Sequence, residues 1–117
     1  MKEFLLVFRA DVKNNEQPSP QQMQAMMTDW QDWMGGLAAQ NKLVDAGNRL
    51  ASEGRVVAHG NVVTNGPYVE IKEAIGGYTI VRAKNIDEAA GLAGDCPILA
   101  VNGNVEVREI VAMENNG

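Results

Sequence analysis

The residues best suited to chemistry lie in one short polar stretch, Asn65-Gly66-Pro67-Tyr68-Val69-Glu70-Ile71-Lys72-Glu73. Glu70 could move a proton, and Lys72 beside it would favour the charged form of a carboxylate. Tyr68 could stack on a ligand or donate its hydroxyl, and Asn65 could hydrogen-bond a carbonyl. This pattern indicates cofactor-free acid/base chemistry of a lyase, isomerase or hydrolase kind on a small organic molecule. We therefore predict Glu70 and Tyr68 as catalytic residues and Asn65 and Lys72 as ligand-binding residues.

Two further residues, Asp45 and Tyr78, are second choices as ligand-binding residues. Structural alternatives stand beside all of these assignments. Glu70, Lys72 and Glu73 could form a solvated cluster of ion pairs. The Asn65-Gly66-Pro67 run could be a turn without a ligand, since Asn and Gly tolerate positive φ and Pro fixes its own φ.

The remaining reactive side chains argue against metal or thiol chemistry. His59, the only histidine, stands beside Gly60 at an apparent hairpin tip, which favours an exposed turn residue over a general base. Cys96 precedes Pro97 after a predicted helix and is expected to be a small buried residue. One histidine and one cysteine cannot complete a zinc site, and no carboxylate spacing matches a calcium loop. We therefore expect no metal and no cofactor.

A long amphipathic helix is the clearest element of the sequence. Ser19 is a predicted N-cap, Pro20 occupies the first helical position, and Gln22 completes a capping box. Apolar residues follow at steps of three and four, which is the helical period: Met23, Met26, Met27, Trp30, Trp33, Met34 and Leu37. This stripe indicates a core or dimer contact, and an adaptable ligand pocket is the alternative.

The other segments predict a small sheet. Phe4 to Phe8 has the pattern of a strand that is apolar on both faces, so both faces need cover. Further short strands, a hairpin and a second helix capped by Asn85 are predicted at 43–46, 56–64, 77–83, 85–93 and 105–111. This order predicts an α+β fold with a ferredoxin-like antiparallel sheet and two helices on one face. The bare face would pair with a second subunit, which gives a dimeric α+β barrel and a two-fold homodimer.

The overall composition restricts the partners. The 117 residues suffice for one domain, assigned to 1–117 with a loose tail at 114–117. A net charge of −5 without a Lys/Arg cluster argues against a nucleic-acid partner. No apolar run approaches the roughly 20 residues that span a bilayer, so no membrane partner is expected. A single cysteine and no evident signal peptide predict a cytoplasmic protein.

Several motifs resemble the YCII-related family, in its branch named after an Asp-Gly-Pro-Phe motif. The matching runs are Asn65-Gly66-Pro67-Tyr68, Glu70 with Lys72 and Glu73, Gly76-Gly77-Tyr78, Asp87-Glu88-Ala89, Cys96-Pro97 and Val105-Glu106-Val107-Arg108. The resemblance implies a ferredoxin-like dimer, with clefts between sheet and helix or near the subunit boundary. In related YCII proteins a His–Asp pair has been proposed as catalytic, with the histidine on the first long helix.

This chain departs from the family pattern, because its first long helix contains no histidine and Asn65 and Tyr68 replace the aspartate and phenylalanine of the motif. These departures favour an alternative function, a non-catalytic binding or regulatory dimer linked to transcription or signalling. A third hypothesis is a metal-free oxygenase of the dimeric α+β barrel kind. A shielded cavity under Trp30 and Trp33 would support it.

Overall fold

An antiparallel sheet with two helices on one face forms the body of the molecule. The computed structural model describes residues 1–9, 19–51, 53–66 and 75–112. Within them the elements are, in chain order, β1 (Lys2–Arg9), α1 (Pro20–Ala39), β2 (Leu43–Asp45), β3 (Gly54–Ala58), β4 (Val62–Gly66), β5 (Ile75–Ala83), α2 (Ile86–Ala93), a 3₁₀ helix (Pro97–Val101) and β6 (Asn104–Glu109).

The main sheet has the order β2-β5-β1-β6, and its neighbouring strands are antiparallel. With the β3–β4 hairpin set aside, the order along the chain is β1-α1-β2-β5-α2-β6, which is the ferredoxin-like arrangement. The predicted α+β fold is therefore confirmed. The hairpin is an insertion between β2 and β5 that forms a two-stranded sheet of its own.

Strand β1 shows why the two faces of the sheet differ. Phe4, Leu6 and Phe8 point to one face and belong to the hydrophobic core. Side chains alternate along a strand, so Leu5 and Val7 point to the other face, which we call the outer face. Val7 stands opposite Tyr78 of β5 there, and it is buried without being part of the core cluster.

Helix α1 begins with the predicted capping box. The Ser19 Oγ accepts a hydrogen bond from the Gln22 backbone N–H at 3.1 Å, and the Gln22 Oε1 accepts one from the Ser19 N–H at 2.9 Å. The helix packs on the sheet only in its second half, where Trp33 and Leu37 are buried. The methionines of the first half, Met23, Met26 and Met27, are exposed, so the predicted apolar stripe is core only from Trp30 onward.

Helix α2 begins at its predicted cap, where the Asn85 Oδ1 accepts from the Glu88 N–H at 2.9 Å. Its buried face is narrow, because Ala89 and Ala93 are its buried residues while Ile86 is half exposed. The two helices are joined directly. The Trp33 Nε1 donates a hydrogen bond to the backbone carbonyl of Leu92 at 3.1 Å.

The hairpin is confirmed, with His59, Gly60 and Asn61 at its exposed turn. Its strands are longer than predicted. Asn65 and Gly66 pair with Arg55 and Gly54, so these two residues extend β4, and the rest of the turn predicted at Asn65-Gly66-Pro67 lies outside the described residues. Several valines of the hairpin remain exposed, namely Val57, Val62 and Val63.

Candidate functional site

The topology brings Asp45 and Tyr78 to the same edge of the outer face. Asp45 ends β2 opposite Ile80 of β5, and Tyr78 lies two residues before Ile80 on the same strand. The Asn48 Nδ2 donates a hydrogen bond to the Tyr78 hydroxyl at 3.0 Å. We call Asp45, Asn48 and Tyr78 the Tyr78 cluster.

The backbone under this cluster is fixed by a tight turn after β2. The Asp45 Oδ1 accepts a hydrogen bond from the Gly47 N–H at 2.7 Å. Gly47 has a φ of +75°, and a Cβ at this position would collide with the Tyr78 carbonyl oxygen. The Tyr78 N–H also donates to the Asn48 carbonyl at 3.2 Å. The turn therefore holds Tyr78 from both its backbone and its hydroxyl.

The predicted site residues divide into two groups. Asp45 and Tyr78 are brought together, whereas Asn65 is exposed at the end of β4. Within the described residues, no hydrogen bond or ion pair joins Asn65 to the Tyr78 cluster. The predicted positions Tyr68, Glu70 and Lys72 lie outside the described residues, between β4 and β5. Their roles stay predictions.

Two titratable groups with shifted pKa values lie elsewhere in the fold. Burial raises the pKa of the Cys96 thiol to about 11, against a weaker opposing hydrogen bond with the Ile98 backbone. Cys96 is 3% exposed, so the prediction of a buried cysteine is confirmed. A hydrogen bond from Arg108 lowers the pKa of Glu106, and Arg9 adds a second hydrogen bond and its charge.

The aromatic residues of α1 serve the core. Phe8, Trp30 and Trp33 meet edge to face, with ring centroids 5.1 to 5.9 Å apart. Rings that fill the space between helix and sheet in this way are core contacts. This packing gives no support to the oxygenase hypothesis, which needs a cavity under Trp30 and Trp33.

The described ranges also give two negative findings. Residues 1–9, 19–51, 53–66 and 75–112 contain no group of three His, Cys, Asp or Glu side chains arranged to hold a metal ion. Over the same ranges, neither helix is long and apolar enough to cross a bilayer.

The sequence of this chain matches a known domain family. Residues 4–114 match the YCII-related domain. The chain belongs to the YCII-related family. No curated protein shows significant sequence similarity to it. The prediction of the YCII-related family is thus confirmed, and the match runs from within β1 to beyond the end of β6.

In this YCII-related protein, two residues of interest were missed by the sequence interpretation. Asn48 stands in a Gly47-Asn48 pair, a turn signal that does not reveal its partner Tyr78 thirty positions later. Arg82 follows Tyr78 and Ile80 at alternate positions of β5. A charge at the end of an apolar alternation is the signal that would have identified it as an outer-face residue.

Proposed function

We propose that this YCII-related protein binds a small organic molecule at the Tyr78 cluster, together with the chain that joins β4 to β5. The observation that carries the proposal is the fixed Tyr78 hydroxyl, held at 3.0 Å by Asn48 above a turn locked by Gly47. A half-buried phenol whose orientation is fixed offers both a ring face and a polar tip. Binding sites favour such preorganised groups.

We further propose roles for the other residues that the sequence predicts as site residues. In this scheme Asn65 binds a carbonyl of the ligand, and Lys72 favours the charged form of a carboxylate. Tyr68 stacks on the ligand or donates its own hydroxyl to it. Glu70 would transfer the proton of a lyase-, isomerase- or hydrolase-like reaction without a cofactor. The Asn65-Gly66-Pro67-Tyr68 run is the basis for placing the chain in the Asp-Gly-Pro-Phe branch of the family.

The experiment is a thermal-shift screen of small carboxylic and carbonyl compounds, followed by titration of each hit. Glu70→Gln and Tyr78→Phe should each weaken binding of a hit at least about tenfold, which corresponds to about 1.4 kcal/mol. Asp87→Asn is the matched control, since Asp87 lies on the far side of the sheet at the start of α2. The proposal is wrong if both variants bind every hit as tightly as the wild type does.

We also propose that the protein is a homodimer that buries the centre of the outer face of the sheet. An apolar strip crosses this face along β1 and β5, formed by Leu5, Val7 and Ile80. Ion pairs among Arg9, Glu106 and Arg108 flank the strip. An apolar centre with a charged rim is typical of protein interfaces.

A non-catalytic binding or regulatory dimer, acting in transcription or signalling, is the second candidate function. Two observations favour it. The first helix has no histidine, and the Asp45 carboxylate already accepts a hydrogen bond within its own turn. The two candidates separate in one measurement, because an enzyme converts a bound hit to product whereas a binding module returns it unchanged.

A further inference from the structure

A pocket lies at the other end of β5 from Tyr78. It has a volume of about 300 Å³ and is lined by Met1, Glu3, Gln40, Asn41 and Arg82. Arg82 follows Tyr78 by four positions, which places the two side chains about 13 Å apart along an extended strand. The pocket is therefore separate from the Tyr78 cluster, and its function is independent of the ligand binding proposed at that cluster.

Arg82 is a charged residue that its surroundings leave incompletely bonded. Its Nε is buried and has no hydrogen-bond partner within the described residues. Arg82 is half-buried and lines the pocket, so part of its side chain is accessible from it. A guanidinium is permanently charged, and a buried donor without an acceptor costs free energy. An anionic group in the pocket would supply acceptors to this guanidinium.

Glu3 provides the opposite charge in the same pocket. It stands directly opposite Arg82 in the pairing of β1 with β5, where the two Cβ atoms are about 5 Å apart. Even so, within the described ranges neither side chain makes an ion pair with the other or with a third residue. A cation and an anion thus border one pocket side by side and unpaired.

The end of α1 supplies polar groups between these charges. The Gln40 Nε2 donates to the Gly36 carbonyl at 3.1 Å, which fixes the amide and leaves its oxygen as an acceptor. Asn41 follows with a φ of +58°, and its backbone N–H donates to the Ala38 carbonyl at 3.0 Å. The Gln40 amide and the Asn41 backbone are therefore held at the pocket by the helix terminus.

We propose that this pocket binds a small amino-acid-like zwitterion, with its carboxylate on Arg82 and its ammonium group on Glu3. The Gln40 oxygen is placed to accept a further hydrogen bond from the ammonium group. A guanidinium recognises a carboxylate through parallel N–H donors, and a carboxylate accepts from an ammonium group. A ligand that carries both charges satisfies both side chains at once, whereas a singly charged ligand leaves one of them unpaired.

The test compares three probes of equal length by isothermal titration calorimetry and by NMR shift mapping: γ-aminobutyrate, butyrate and butylammonium. We expect γ-aminobutyrate to bind at least about tenfold more tightly than either singly charged probe. NMR shifts should centre on Glu3, Asn41 and Arg82. Arg82→Gln should abolish binding of γ-aminobutyrate. Arg108→Gln, the same substitution at an exposed arginine of the outer face, should leave it unchanged.

Glu3→Gln should remove the preference for γ-aminobutyrate over butyrate, because the carboxylate contact with Arg82 remains. Shift mapping on the wild type needs no variant and covers the case in which Arg82→Gln misfolds. The proposal is overturned if none of the probes binds saturably, or if butyrate binds as tightly as γ-aminobutyrate. It is also overturned if binding responds to Tyr78→Phe and not to Arg82→Gln, since the ligand then occupies the Tyr78 cluster.

Discussion

Single residues of the Tyr78 cluster owe their positions to one turn. Asp45 was predicted to bind a ligand, yet one of its carboxylate oxygens accepts the Gly47 N–H at 2.7 Å. Its first role is thus to hold the turn against β5. No other residue type can replace Gly47 in this turn, because its left-handed φ and its approach to the Tyr78 carbonyl both exclude a side chain.

Gly47→Ala should therefore destabilise the protein by about 2 kcal/mol or more, from a strained positive φ and a clash with backbone. Gly35→Ala is the matched control, because Gly35 lies in α1 with open space around it. This control should stabilise the protein by about 0.5 to 1 kcal/mol. Urea denaturation measures both changes. Equal stability of the two variants would contradict the role given to Gly47.

Cys96 has a consequence for stability at high pH. The folded state holds the thiol proton more tightly than the unfolded state, where the pKa is at its ordinary value of 9.0. Its contribution is complete below pH 9, and it is lost as the pH rises through the folded value of about 11. The loss is on the order of 3 kcal/mol.

The measurement is the free energy of unfolding of the wild type and of Cys96→Ala across this pH window. The wild type should lose more stability than the variant as the pH rises. Other groups that titrate in the window affect both proteins alike, so they cancel in the difference. Parallel pH profiles would show that the Cys96 thiol ionises as readily in the folded as in the unfolded state.

At the scale of elements, helix α1 consists of two halves with different environments. The half from Trp30 onward packs on β1 and on the segment after α2, and it donates the Trp33 hydrogen bond to Leu92. The first half carries exposed methionines. A helical period in the sequence marks a face, but the length of sheet under that face decides how much of it is buried.

Trp33→Ala should accordingly cost about 3 to 5 kcal/mol, since it empties a buried site and leaves the Leu92 carbonyl without its donor. Met27→Ala changes an apolar residue of the same helix that is 55% exposed, and it should cost less than about 0.5 kcal/mol. Chemical denaturation of the two variants compares these costs. A large loss in Met27→Ala would mean that the first half of α1 is covered in solution.

The helix caps and the hairpin could be predicted from local sequence signals, whereas the candidate sites depend on contacts between residues far apart in the sequence. The Ser19 capping box, the Asn85 cap and the hairpin each depend on residues within a few positions of one another, and each is confirmed. The Asn48–Tyr78 bond and the Glu3–Arg82 pocket join residues that are 30 or more positions apart. Such pairs are set by strand order, which no local pattern contains.

At the scale of the whole molecule, helices cover one face of the sheet, and within residues 1–9, 19–51, 53–66 and 75–112 no helix covers the other. The outer face bears a central apolar strip, including Leu5 and Ile80, with ion pairs at its edge. The exposed valines of the hairpin are a second apolar surface, on a two-stranded sheet separate from the main sheet. The proposed homodimer forms through the outer face. Substitutions in the two surfaces show which of them forms the dimer.

Leu5→Asp should convert the dimer to a folded monomer or to insoluble protein, because it places a charge at the centre of the apolar strip. Val57→Asp introduces the same charge on the hairpin, at a residue that is 65% exposed, and should leave the dimer intact. Sedimentation velocity at micromolar concentration gives the oligomeric state, and tryptophan fluorescence reports whether Leu5→Asp retains the packing around Trp33. If only Val57→Asp dissociates the dimer, the interface lies on the hairpin and not on the outer face. A wild type that sediments as a monomer would remove the dimer altogether, and the outer face would then be a solvent-facing surface.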